Sequence, residues 1–239
     1  MEETNKKVVH LLWTGGWDST FRLLELLFEE RRIVQPHYVM RSEQCSGTEI
    51  DTMAKIRRHL SRNYPEQRKF LQPLIIKDDI SIKPNQKIAE EFEKLNKEIK
   101  INEQYQILAR YCVQKKISEA ELSIIALEKD IINSGFFGTF TFPLLDMTKK
   151  EMLLKAKQNG WMEIMKMTSF CRRPKNGRPC GLCGPCTDAL ESGLIFRLPI
   201  RSRIVGFLQL PFRRWWRNNY HKQSNRYFEW IKKVLKGKY

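Results

Sequence analysis

Residues 14–19, Thr-Gly-Gly-Trp-Asp-Ser, combine the side chains and the backbone freedom that an anion-binding loop needs. Two adjacent glycines let successive amide groups converge on one point, and hydroxyl groups flank them. The carboxylate within the loop is a candidate ligand for Mg²⁺ or a water molecule. The stretch predicts a phosphate cradle made of Thr14, Gly15, Gly16, Trp17, Asp18 and Ser19. The simpler alternative is a strand-to-helix turn in which glycine only meets the demand for unusual φ angles. No lysine follows the glycines as in a Walker A loop.

A second group of chemically capable residues is the C-x8-C-x2-C-x2-C run formed by Cys171, Cys180, Cys183 and Cys186. Four thiolates at this spacing can converge on one tetrahedral ion, and structural zinc is the favoured interpretation. An iron–sulfur cluster is the sharper alternative, although Thr187 stands where ferredoxins usually carry proline. Disulfide-bonded or unliganded cysteines are the least favoured alternative. Cys45 and Cys112 lie apart from the run, and we interpret them as ordinary buried or surface residues.

The elements around these residues alternate between strands and helices. An apolar run at 8–13 leads into the glycine loop, after which apolar residues recur at helical spacing. Further strands are predicted at 33–40, 70–77, 122–127 and 139–144, and helices at 46–62, 86–95, 103–116 and from 149 to about 160. Capping boxes at Ser46–Glu49 and Thr148–Glu151 predict two of the helix starts. The pattern predicts an α/β fold with a doubly wound parallel sheet, whose ligands bind at the carboxyl ends of the strands.

The net charge of +16 is concentrated at one end of the chain. Residues 197–239 carry twelve Lys or Arg and one acid, whereas the preceding 196 residues have a net charge of only +5. This segment is also rich in aromatic residues, and 227–235 has the apolar spacing of an amphipathic helix. We expect its apolar face to pack on the body or on a second copy of the chain, as in a homodimer. An anionic membrane surface is the second interpretation, and nucleic acid is the third.

The sequence contains no apolar run of membrane-span length and no signal-peptide pattern at its start, which predicts a cytoplasmic protein. The second interpretation of the tail would add a peripheral association with the inner membrane face. We expect three parts: an ATP-binding α/β domain at 1–167, a zinc module at 168–194 and a basic helical extension at 195–239.

The glycine loop resembles the S-G-G-x-D-S signature of the PP-loop ATP pyrophosphatases, with Thr14 in place of the first serine. The run Cys180-Gly181-Leu182-Cys183-Gly184-Pro185-Cys186 is similar to the zinc module of the 7-cyano-7-deazaguanine synthases within that superfamily. The 168–171 stretch resembles the segment with the first zinc ligand, and Pro143-Leu144, Lys149 and Glu151 resemble the P-L and K-x-E stretch. The resemblance runs from about residue 8 to 190, with a poorly matched middle, and it ends before the basic extension.

The resemblance implies an ATP-dependent carbon–nitrogen ligase of the deazaguanine and queuosine type, with ATP, Mg²⁺ and Zn²⁺ as cofactors. Such an enzyme adenylates a small-molecule carboxylate, here 7-carboxy-7-deazaguanine or a related compound, for attack by ammonia or an amine donor. Asp18, Ser19 and Lys149 are the catalytic candidates by this resemblance, and an exposed first-turn lysine is the simple alternative for Lys149. The family's substrate-contacting D-Y-G-Q-R run is replaced by residues 38–42, so the acceptor stays open. Two other hypotheses are a PP-loop enzyme that thiolates tRNA and a non-catalytic nucleotide-binding module recruited through its basic tail.

Overall fold

The computed structural model describes residues 7–98, 101–125, 135–212 and 215, and the chain divides into two compact units between Arg172 and Arg173. In the described part of the first unit, five strands form one parallel sheet with the order β3-β2-β1-β4-β5. The strands are β1 (Val9–Leu12), β2 (Val34–Met40), β3 (Ile75–Asp78), β4 (Ala120–Glu121) and β5 (Phe140–Thr141). The prediction of an α/β fold with a parallel sheet is therefore confirmed.

Helices separate the first four strands along the chain, and the described residues between β4 and β5 contain a 3₁₀ turn. In the first unit they are α1 (Trp17–Leu24, continued by a π-helix at Glu25–Glu29), α2 (Ser46–Asn63), α3 (Pro65–Arg68), α4 (Gln86–Glu98), α5 (Gln104–Gln114), α6 (Lys149–Gln158) and α7 (Met162–Met167). Single 3₁₀ turns lie at Asp79–Ser81 and Gly135–Phe137.

Contacts between strands and helices show that both faces of the sheet are covered. Glu121 of β4, in register with Leu11 of β1, pairs with Arg22 of α1 at 2.7 Å. His37 of β2, in register with Leu12, contacts Tyr111 of α5 at 2.7 Å. Because neighbouring β1 residues point to opposite faces, α1 and α5 lie on opposite sides of the sheet.

Two predicted strands differ from the observed ones for identifiable reasons. β3 begins at Ile75 because Pro73, which has no N–H to donate, interrupts the run, and Leu71 before it makes only an isolated bridge to Val34. β4 was predicted at 122–127 but occupies Ala120–Glu121, and residues 126–127 lie outside the described part. The pairing ends once the Leu122 amide has donated to Thr141, because the Ile124 amide turns back to the Leu122 carbonyl.

The two predicted capping boxes have opposite outcomes. At Thr148 the box is confirmed, because the Thr148 hydroxyl accepts from the Glu151 amide while the Glu151 carboxylate accepts from the Thr148 amide. At Ser46 the prediction is wrong, since Cys45 is the N-cap and Ser46 is already helical. The Ser46 hydroxyl donates instead to the Arg41 carbonyl, and Glu49 accepts from Tyr38.

A chain of hydrogen-bonded rings crosses the α5 face of the sheet. His10 Nδ1 lies 2.9 Å from His37 Nε2, and His37 Nδ1 lies 2.7 Å from the Tyr111 hydroxyl. His37 is only 3% exposed, and burial lowers its pKa to about 4; burial and Lys7 lower the pKa of His10. Both imidazoles are therefore neutral at pH 7, as expected for histidines satisfied within a core.

We expect this ring chain to make stability depend on pH below neutrality. Because the folded-state pKa of His37 lies below the unfolded value of about 6.5, the unfolded chain binds more protons between these values. The free energy of unfolding should be fully retained above pH 6.5 and should decrease as the pH falls from 6.5 towards 4. Urea unfolding of the wild type and of His37→Asn between pH 4 and 7.5 measures this, with a smaller pH slope expected for the variant. Equal slopes would contradict a buried neutral His37.

The described residues of the second unit comprise α8 (Gly184–Glu191), a 3₁₀ turn at Ile195–Arg197 and a helix at 200–212. This last helix, α9, exposes a stripe of large apolar side chains, Ile200, Ile204, Phe207, Leu208 and Phe212. The amphipathic helix predicted at 227–235 lies outside the described residues. Among the described helices, none has both the length and the apolar character that a membrane span requires.

Candidate functional site

The glycine loop lies where parallel α/β sheets bind ligands. It follows β1 directly, and α1 begins at Trp17, with Gly16 as the N-cap in extended conformation. β1 is the central strand, and the chain passes to β2 and β3 on one side and to β4 and β5 on the other. The order in which the chain adds strands therefore reverses between β1 and β4, although all strands are parallel, and the loop lies at the carboxyl end of that switch point.

The two hydroxyl groups of the loop converge. Ser19 Oγ lies 3.3 Å from Thr14 Oγ1 and 3.4 Å from the Thr14 amide nitrogen, and the Gly16 amide donates to Thr14 Oγ1 at 3.3 Å. Thr14 and Gly16 are partly exposed, whereas Ser19 is 7% exposed. Thr14 thus holds its hydroxyl beside that of Ser19.

Gly15 is a position where the backbone requires glycine. Its φ is +68°, and a Cβ there would lie 3.1 Å from Met53 Cγ and 3.2 Å from Thr52 Cγ2 of α2. Its carbonyl accepts from the Ser169 amide at 3.0 Å, so the segment before Cys171 is tied to the loop. Sequence reasoning missed this contact of Ser169, because a main-chain hydrogen bond between distant segments leaves no residue pattern.

Replacing Gly15 with alanine should destabilise the protein by about 1–2 kcal/mol, because a left-handed backbone is costly for an L-residue and α2 leaves the methyl group little space. Urea denaturation measures the change. Gly47→Ala is the matched control, since Gly47 is helical and a Cβ there meets nothing within 4 Å. The control should be neutral or stabilising. A neutral Gly15→Ala would contradict the tight loop.

Gly16 lies close to both hydroxyl groups. A Cβ at this position would lie 3.1 Å from Thr14 Oγ1 and 4.0 Å from Ser19 Oγ, so a side chain there would crowd the hydroxyl groups. These groups lie at the N-terminus of α1, where the helix dipole favours an anion. The glycine, the two hydroxyl groups and the helix N-terminus together suit an anion such as a phosphate group.

The other loop positions and Lys149 have distinct places. The side chain of Trp17 is 3% exposed, so its backbone amide is the group that could contact a ligand. Asp18 is a partly exposed residue in the first turn of α1. Lys149 is the first residue of α6, and no hydrogen bond or ion pair in the described ranges joins it to the loop. Its catalytic role stays a prediction.

A compact polar group lies beside the loop at the carboxyl end of β2. The Tyr38 hydroxyl donates to Glu49 Oε2 at 2.6 Å, and the Glu49 carbonyl lies 3.4 Å from the Cβ position of Gly15. Burial raises the pKa of Glu49, and burial together with Glu49 raises the pKa of Tyr38. Burial and the nearby Glu49 raise the pKa of Cys45 to about 12, so its thiol is protonated and unsuited to nucleophilic attack at pH 7.

The four cysteines of the C-x8-C-x2-C-x2-C run come together. The sulfur atoms of Cys171, Cys180, Cys183 and Cys186 all lie within 4.8 Å of one another. The Cys183–Cys186 and Cys180–Cys186 separations are 3.4 and 4.0 Å. A tetrahedral zinc site with bonds of about 2.3 Å places its sulfurs about 3.8 Å apart, whereas a disulfide needs about 2 Å. The cluster therefore fits a metal ion bound by four thiolates.

Local structure around the cysteines suits thiolate ligands. The Leu182 amide donates to Cys180 Sγ at 3.3 Å, while Cys183 caps α8 and Cys186 lies in its first turn. Amide donors and a helix N-terminus both stabilise negative sulfur. Gly181 has a φ of +78°, and a Cβ there would lie 2.2 Å from the Ser202 carbonyl oxygen of α9. Only glycine fits this approach between the cysteine turn and the helix.

Comparison of the chain with protein-family models, curated proteins and solved structures finds no match in any of the three.

Proposed function

We propose that the chain is an ATP-dependent ligase that adenylates a small-molecule carboxylate for attack by ammonia or an amine. The observation that carries this proposal is the glycine loop at the switch point of a parallel sheet, with two converging hydroxyl groups at a helix N-terminus. An ordinary turn needs glycine for its φ angle but has no need of paired hydroxyl groups at a helix N-terminus. The resemblance of the loop to the PP-loop signature supports ATP as the ligand.

In the proposed reaction, an oxygen of the substrate carboxylate attacks the α-phosphorus of ATP and the bond to pyrophosphate breaks. The nitrogen nucleophile then attacks the acyl carbon, and AMP leaves with the electron pair of the carbon–oxygen bond. The loop amides, with the Thr14 and Ser19 hydroxyls, would hold the phosphate oxygens, and Lys149 would supply a cation. Asp18 would hold Mg²⁺, which neutralises charge on the leaving pyrophosphate when bound. Fixed dipoles of this kind are an effective source of transition-state stabilisation.

The four-cysteine cluster is proposed as a structural zinc site. All four ligands come from the protein, so no coordination position is left for a substrate or a water molecule, as is typical of structural zinc. Its contribution would be to hold the 171–186 segment in the conformation that brings the four cysteines together.

The acceptor would bind beside the Tyr38–Glu49 pair, because this group adjoins the loop at the same edge of the sheet. 7-Carboxy-7-deazaguanine is the first candidate for the acceptor, on the basis of the resemblance to the 7-cyano-7-deazaguanine synthases. The paired carboxyl and phenol groups could also hold a different heterocyclic carboxylate, since both can hydrogen-bond to ring nitrogens.

The test is a stopped assay of AMP and pyrophosphate with ATP, Mg²⁺, ammonia and 7-carboxy-7-deazaguanine. Substrate-dependent AMP at a one-to-one ratio to pyrophosphate is the expected result, and a reaction without the carboxylate is the control. No AMP with this compound but AMP with another carboxylate of a panel would retain the ligase and change its acceptor. ATP binding without turnover on the whole panel would refute the catalytic proposal.

A further inference from the structure

A groove of about 400 Å³ lies on the outer side of α2, beside the edge strand β3. Four apolar residues and one serine line it together with three arginines. The lining residues are Ile50, Ala54, Arg57, Arg58, Ser61, Arg68, Leu74 and Ile76. We call this surface the arginine groove. The α2 residues that pack near Gly15 include Thr52 and Met53, which belong to another face of the helix and do not line the groove.

The arginine groove has no acidic residue in its lining. None of the ion pairs in the described part of the chain includes Arg57, Arg58 or Arg68. Residues 55–69 carry six Lys or Arg and one acid, Glu66, which pairs with Lys69 at 2.7 Å. The net charge of this stretch, +5, equals the net charge of residues 1–196 as a whole, so the positive charge that precedes the basic extension is concentrated here.

Two of the guanidinium groups are held in place although they repel each other. One Arg57 nitrogen donates to the Gln72 carbonyl at 2.8 Å, and one Arg68 nitrogen donates to the Leu71 carbonyl. Burial and the nearby Arg68 lower the pKa of Arg57 to about 10. Arg68 Nε is buried and has no hydrogen-bond partner among the described residues. Each guanidinium group carries five N–H donors, and the backbone carbonyls take only one from each, so donors remain for an anion.

We propose that the arginine groove binds phosphate esters, with the guanidinium groups on the phosphate and the apolar floor against the organic part. Guanidinium donors match the tetrahedral oxyanion in charge and in bidentate geometry. Ile50, Leu74 and Ile76 offer the apolar surface, and Ile76 is 45% exposed in the absence of an occupant. The ester could be a small free molecule or the terminal phosphate of a nucleic acid. The proposal is independent of the ATP site.

Isothermal titration with phenyl phosphate tests the proposal on the full chain, with phenol and inorganic phosphate as the separate halves of the probe. Phenyl phosphate should bind more tightly than either half, by about tenfold. A second titration uses a single-stranded oligonucleotide with a 5′-phosphate and the same oligonucleotide without it. Tighter binding of this oligonucleotide than of its unphosphorylated form would assign the nucleic-acid source, and binding of phenyl phosphate alone would assign the small ester. Failure of both probes to bind would overturn the proposal.

Substitutions of the groove arginines test whether phenyl phosphate binds in the arginine groove. The double variant R57Q/R68Q should weaken phenyl phosphate binding at least tenfold, and Arg58→Gln should weaken it severalfold without removing a backbone hydrogen bond. Arg62→Gln is the matched control, because Arg62 is an exposed α2 arginine outside the groove. Gly16→Ala should leave this binding unchanged, which separates the groove from the glycine loop. Wild-type affinity in folded R58Q and R57Q/R68Q proteins would overturn the proposal.

Discussion

Replacing Cys186 with serine should abolish metal binding at the proposed four-cysteine site and lower the midpoint of thermal unfolding by about 10 °C or more. Cys186 is fully buried, and its sulfur lies within 4.0 Å of the sulfurs of both Cys180 and Cys183. A serine oxygen is a poorer zinc ligand, and the remaining thiolates would repel each other without the ion. Because metal binding to such a site is part of the folding free energy, loss of the ion should destabilise the segment that it holds. Metal analysis of the purified protein and calorimetry measure the two effects.

Cys112→Ala is the control for this experiment. Cys112 is also fully buried, but it belongs to α5 and packs in a core cluster with residues of α4, and burial raises its pKa to about 12. This variant should keep one metal ion per chain. One zinc ion in the wild type would support the structural site, and iron with sulfide would identify the cluster as iron–sulfur. A Cys186→Ser protein with its full metal content would contradict a four-sulfur site.

The same cluster separates the ligase from the tRNA-thiolation hypothesis. Thiolates that bind zinc are shielded from alkylation, whereas thiols that carry a persulfide must react. We expect iodoacetamide to leave the four cluster cysteines unmodified in the metal-loaded protein and to modify them after chelation. Mass spectrometry identifies the sites. Rapid alkylation of one cluster cysteine in the loaded protein would favour thiolation.

Sequence patterns predicted the parts of the fold that depend on local chemistry. The alternation of strands and helices gave the parallel sheet, and the Thr148 box marked the start of α6 because both of its hydrogen bonds are local. The matching spacing at Ser46 failed for a tertiary reason. Tyr38 on the neighbouring strand takes the Glu49 carboxylate, and the Arg41 carbonyl takes the Ser46 hydroxyl. A spacing rule cannot include partners that arrive from another element.

The two candidate sites differ in the same way, since one follows from local spacing and the other from tertiary packing. Four cysteines within sixteen residues, three of them at C-x2-C spacing, can converge on one ion, so their spacing indicated the cluster that the structure brings together. The arginine groove, in contrast, combines residues of α2 and α3 with residues of the edge strand. Its arginines resemble an ordinary solvated helix face in the sequence, and only the packing shows that Arg57 and Arg68 share a partly buried space without an acid.

Gly16→Ala should reduce ATP-dependent AMP formation by about 100-fold or more while the protein remains folded. The added methyl group would lie 3.1 Å from Thr14 Oγ1 and 4.0 Å from Ser19 Oγ, so it would displace the hydroxyl groups that we propose hold a phosphate oxygen. A displaced hydroxyl could not donate to the developing negative charge, and loss of such a donor typically costs about 10²–10³ in rate. Gly16 has a φ of −75°, so alanine adds no left-handed strain, and the change in stability should stay within about 1 kcal/mol.

Gly135→Ala is the control for this variant, because Gly135 begins a 3₁₀ turn and a Cβ there meets nothing within 4 Å. Its AMP formation should equal that of the wild type. Fluorescence titration with ATP distinguishes binding from turnover, since displaced hydroxyl groups should weaken ATP binding as well as AMP formation. Full activity in a folded Gly16→Ala protein would mean that the phosphates bind elsewhere, because the alanine methyl group would still crowd the Thr14 hydroxyl.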